Sequence, residues 1–172
     1  MRLQTILYIF FLIVIASASC KPIEKLPPEP YIEYRSFTLF DTVDLLGNPG
    51  KGGRLTFYFE DGDGDLGLRQ PLPDDTDTVN LFFQLFRKEM GVMVPAGPSD
   101  VLRPANYRIP FMDRQGQNKI LKGTIDVTFM YLFYSATDTI MYEFYIKDRA
   151  GNESNHENTL EIPLNFSGLI LE

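Results

Sequence analysis

Along most of the chain, apolar and polar side chains alternate with a period of two. In residues 54–60, Leu55, Phe57 and Phe59 fall on one side while Thr56, Tyr58 and Glu60 fall on the other, the pattern of a strand with one face in a core. The same alternation sets Ile125, Val127, Phe129, Tyr131 and Phe133 against Asp126, Thr128 and Met130, and Ile140, Tyr142, Phe144 and Ile146 against Met141, Glu143, Tyr145 and Lys147. Residues 31–40, 78–87 and 91–95 read as further strands, the second of them apolar on both faces and therefore central. Leu160, Ile162 and Leu164 close the pattern, 107–110 adds a weak strand, and the apolar tail 166–171 reads as a last edge strand or a docking segment. Gly, Pro, Asn and Asp punctuate these runs, and there is neither an amphipathic helix of ten residues nor an internal repeat. Seven or eight short strands in about 140 residues predict an all-β fold, an immunoglobulin-like or fibronectin-like antiparallel β-sandwich over residues 31–172. A small closed barrel is the alternative that strand number alone leaves open.

The pattern breaks at the N-terminus. Residues 6–16 are continuously apolar, preceded by Arg2 and followed by Ser17, Ala18, Ser19 and Cys20. That is the layout of a secretory signal peptide, and about 11 apolar residues fall short of the ~20 that span a bilayer. Small residues leading into a Cys resemble the lipobox of bacterial lipoproteins, with Ser17 where the common box has Leu. The resemblance implies that residues 1–19 are removed and that Cys20 becomes a lipidated N-terminus; the plain alternative is a secreted chain with a free thiol. Each buried acyl CH₂ contributes about 0.8 kcal/mol, so two or three chains anchor stably. Residues 20–30 follow as a Pro-rich tether that, extended, reaches roughly 30 Å. Together these features predict an outer-membrane lipoprotein of a bacterial envelope. Lys21-Pro22-Ile23-Glu24 lacks the paired acids of a surface-export signal, and the periplasmic and surface faces both stay open.

Charge narrows the classes further. The 172 residues carry a net −7, with one Cys, one His and no Trp; loss of Arg2 with the leader makes it −8. Nucleic-acid binding, which depends on clustered Lys and Arg, is excluded, as are an internal disulfide and a multi-histidine zinc site. The acids concentrate in 60–77, where Glu60, Asp61, Asp63, Asp65, Asp74, Asp75 and Asp77 face Arg69 alone. In Asp61-Gly62-Asp63-Gly64-Asp65 two glycines let the chain curl until alternate carboxylates converge, a set of hard oxygens suited to Ca²⁺. Leu66 and Leu72 stand where an EF-hand needs Gly and Glu, which rules that motif out. The second and sixth strands of an immunoglobulin-like sandwich run the same way, so Asp148, just after the sixth, is expected at the same pole as a fourth metal ligand. An acidic turn that is merely solvated is the other reading.

Three further patterns bear on function. Asp41-Thr42-Val43, Asp77-Thr78-Val79 and Asp138-Thr139-Ile140 resemble the sites at which Bacteroidota-type bacteria O-glycosylate exported proteins, which implies sugar on Thr42, Thr78 or Thr139; a turn running into a strand explains the same residues. Asp148-Arg149-Ala150-Gly151-Asn152-Glu153-Ser154-Asn155 resembles the ending of bacterial immunoglobulin-like modules. Taken with residues 59–67, 106–110 and 121–123, it is similar to a group of uncharacterised Bacteroidota-type lipoproteins with no established activity. His156 beside Ser154 makes no hydrolase signature, since the G-x-S-x-G elbow is absent. The chain therefore reads as a lipid-anchored, non-enzymatic binding or accessory module, Ca²⁺-stabilised and held to the membrane by its lipid, with an envelope protein or glycan as partner. The alternative is an envelope hydrolase or carbohydrate-processing accessory using the acidic pole.

Overall fold

A computed structural model describes residues 25–76, 78–112 and 119–171. The expected signal peptide, Cys20, the tether residues up to 24, and Asp77 lie outside them. The alternating segments become strands paired antiparallel: β1 (Tyr31–Val43), β2 (Pro49–Asp61), β3 (Leu81–Glu89), β4 (Val92–Pro95), β5 (Leu121–Tyr131), β6 (Thr139–Ile146), β7 (Glu157–Asn158), β8 (Ile162–Pro163) and β9 (Gly168–Leu171). One sheet has the order β5-β2-β1-β9, the other β4-β3-β6-β7, with β8 also on β6. With β9 set aside, this is the strand order of an immunoglobulin-like sandwich. Among the described residues there is no helix.

The inward face of each strand supplies the core. Phe57 from one sheet meets Phe144 from the other at 5.2 Å between ring centroids, and Phe83 meets Phe129 edge-on at 5.4 Å. Each such ring, fully buried, contributes about 1.5–3 kcal/mol. Two buried phenols are paired across the core, Tyr131 and Tyr142 hydroxyls lying 2.9 Å apart, and the Tyr142 hydroxyl donates to the Leu102 carbonyl. Their polar atoms are thereby satisfied where water cannot reach.

Several boundaries move, each for a local reason. β2 starts at Pro49, well before Arg54, because its glycines accept aromatic rings from β1 in place of side chains of their own. A Cβ at Gly52 would lie 2.2 Å from the Phe40 ring, and one at Gly53 2.5 Å from that of Phe37. β3 starts at Leu81 because the buried Asn80 side chain ties three segments together: Oδ1 accepts from the Ile109 N–H and Nδ2 donates to the Lys147 carbonyl. Residues 107–110 make only isolated bridges, Tyr107 to Leu81 and Pro110 to Leu68. The strand expected at 160–164 shrinks to Ile162–Pro163, since Thr159 Oγ1 replaces a backbone carbonyl in accepting from the Tyr142 N–H. The apolar tail is an edge strand, β9, paired to β1 from Ser36↔Leu171 to Leu39↔Gly168. Packing also begins before Tyr31: Pro30 is buried, and the carbonyls of Leu26 and Pro27 press on Gly62.

Candidate metal centre at the acidic pole

β2 delivers Asp61 to the end of its sheet, opposite Leu121 of β5. The loop that follows curls because its glycines admit other backbone segments. Gly64, at φ +73°, would place a Cβ 2.0 Å from the Lys119 carbonyl oxygen, and Gly67, at φ +94°, 2.3 Å from that of Pro110. Any other residue would be both strained and in collision at these two positions. Leu66 between them is fully buried and pins the loop to the core.

Asp61 has no exposed surface. Its Oδ2 accepts from the Leu66 N–H at 2.6 Å and its Oδ1 from the Gly64 N–H at 3.3 Å. Asp63 and Asp65 each turn a carboxylate oxygen toward it, and the three oxygens lie within 4.8 Å of one another. Burial, helped by a hydrogen bond shared with Asp63, pushes the Asp61 carboxyl up to about 6. Desolvation, then the charges of Asp148 and Asp63, raise Asp65 as well. Asp65 Oδ2 accepts from the Ala150 N–H at 3.1 Å, whereas its Oδ1 is buried with no hydrogen-bond partner among the described residues. Buried carboxylate oxygens seldom go without a donor or a cation.

The Ala150 contact shows that the loops after β2 and β6 share this pole, and Arg149 reinforces it. Its guanidinium donates to the Leu66 and Gly67 carbonyls and lies 4.6 Å from the Phe111 ring centroid. Asp148 is present too, nearly buried, but outside the group of three. Its two oxygens accept from the backbone N–H and side-chain amide of Asn152, each at 2.8 Å, so it closes its own turn and reaches the cluster through charge. Sequence reasoning missed Arg149, Asn152 and Asn80, since nothing local marks an Arg or Asn that will bridge distant loops.

The remaining candidates are scattered. Thr42 is half-buried in β1, Thr139 half-buried at the start of β6 and Thr78 exposed in a loop. Asp41 is bridged to Lys51 and Asp138 to Arg87. His156 stacks on Tyr145 at 4.4 Å, its ring nitrogens on Glu143 and Glu153. The Ser154 hydroxyl is spent on backbone, accepting from the Ile146 N–H and donating to the Asn155 carbonyl; the two make no nucleophile–base pair. No known protein family, curated protein or solved structure matches the chain.

Proposed function

We propose that this protein is a non-enzymatic binding or accessory module of the bacterial envelope, anchored by lipid on Cys20, with Ca²⁺ held by Asp61, Asp63 and Asp65. The observation that carries the metal reading is the buried Asp65 Oδ1, without a hydrogen-bond partner among the described residues, beside the fully buried Asp61 carboxylate. Three acids forced together at the end of a rigid ladder repel each other, and a hard divalent cation removes that repulsion while satisfying the orphaned oxygen. Backbone carbonyls and water complete the six to eight oxygens that Ca²⁺ takes. The anchor reading rests on the leader sequence.

Metal that binds only the folded chain adds about 2.7 kcal/mol when a hundredfold above its Kd, a melting rise of several degrees at about 2–5 °C per kcal/mol. Asp65→Asn weakens the response and Mg²⁺ substitutes poorly. Coincident melting curves in calcium and in chelator would refute the site. The anchor is tested by fatty-acid labelling: Cys20→Ala removes the label and releases the chain from membranes, and a label that persists refutes it.

A further inference from the structure

The sandwich ends in edge strands of very unequal length. β9 and β4 have four residues and β7 and β8 two each, whereas β5 runs for eleven without a proline. Its register with β2 is unbroken from Asp61↔Leu121 to Lys51↔Tyr131, and among the described residues β2 is its only strand partner. Short length, proline, bulges and charged side chains are the usual protections of an edge; β5 is long, has no proline or bulge, and carries on its exposed face two charges of opposite sign. Every second residue of such an edge turns its N–H and C=O outward, a template for another strand. Beside it lies a largely apolar cavity of about 370 Å³, lined by Ile125 and Val127 of β5 and by Tyr107, Ile109 and Met112 opposite.

The exposed face of β5 carries two charges, Lys122 and Asp126, with Thr124 midway between them. We propose that β5 pairs antiparallel with β5 of a second copy of this chain, about a two-fold axis at Thr124. Directly opposite residues share a face, so this register sets Lys122 across from the second copy's Asp126, twice by symmetry. Shifting the axis two residues brings Lys122 against Lys122, or Asp126 against Asp126. Shifting it by one leaves both charges facing uncharged residues. Only the Thr124 axis is self-complementary, which fixes the register as well as the partner. On the inner face it aligns Leu121 with Val127 and Gly123 with Ile125, apolar against apolar beside the cavity. The ion pair of Lys122 with Glu60 and the hydrogen bond from Thr56 to Asp126 hold both side chains on the outer face. The product is one continuous eight-stranded sheet, β9-β1-β2-β5 followed by its mirror order.

Sedimentation of the full chain in detergent tests this, with the mass of two chains expected. Lys122→Glu or Asp126→Lys weakens association at least about tenfold, because each turns two opposite-charge pairs into like-charge ones, and the double exchange restores it. Thr124→Cys forms an intermolecular disulfide on mild oxidation. Thr128→Cys does not, its two copies lying roughly 27 Å apart along the strands; Cys20 contributes equally to both variants. The cysteine pair decides the matter if a charge variant fails to fold. A single-chain mass at every concentration, a folded double exchange that stays dissociated, or equal cross-linking at 124 and 128 would each overturn the proposal.

Discussion

Asp61 is the residue at which folding and charge most directly oppose each other. Its folded pKa of about 6 stands above the ordinary 3.8, so the stability it contributes is complete below about pH 4 and is lost as pH rises through 6. A cation reverses this by favouring the ionised form. In chelator, melting of the native chain relative to Asp61→Asn therefore falls between pH 4 and 7; in saturating Ca²⁺ that fall disappears, and Ca²⁺ affinity climbs through pH 6 as a proton is displaced. Parallel curves under both conditions would contradict the assignment. His156 behaves differently. The carboxylates of Glu153 and then Glu143 raise its pKa above the ordinary 6.5, so its contribution is present below 6.5 and lost as pH passes the raised value. NMR titration of the single imidazole is expected to end above 6.5, with Glu153→Gln lowering it. Asp61, Asp63 and Asp65 were legible in the sequence because glycines at every second place signal a curl. The fate of Asp148 was not, because it depends on Asn152 closing back onto it within the folded turn.

At the scale of elements, strands were legible wherever one face meets core and the other water. β6 starts within one residue of its expectation because its alternation is uninterrupted. The first half of β2 was hidden: Gly50, Gly52 and Gly53 have no side chain to alternate, and the rings that cover two of them belong to β1. Gly53→Ala forces a methyl group into the Phe37 ring and is expected to cost about 1–3 kcal/mol in denaturant unfolding. Gly97→Ala, where a Cβ meets nothing within 4 Å, is expected to be close to neutral. Equal stabilities for the two would show that the rings are not fixed by the glycines. β8 illustrates the opposite error, a clean apolar alternation shortened because the Thr159 hydroxyl took over a ladder hydrogen bond.

The whole molecule is polar along its length. Tyr31 pairs with Glu60 at the acidic end, so the chain enters β1 there, whereas Leu45, Leu46, Met90 and Phe133 stand exposed on turns at the other end. Strands of thirteen residues separate the two ends by roughly 40 Å. With lipid on Cys20, a fluorophore at Leu46→Cys is expected to transfer energy to a membrane dye far more weakly than one at Glu29→Cys; equal transfer would mean that the domain lies flat. That polarity was legible only in part, since the meeting of loops after β2 and β6 follows from the strand order while the seating of Leu26 and Pro27 on Gly62 does not.

That seating would give the proposed tether a mechanical meaning. With the proposed lipid on Cys20, a pull on the N-terminus would be transmitted first to the contact of Leu26 and Pro27 with Gly62 and only then to β1. Because β1 lies between β2 and β9, tension drawn along it must shear both ladders together and cannot unzip them one bond at a time. Tension arriving from the proposed lipid would therefore meet the loop of the three clustered carboxylates before it reaches either ladder.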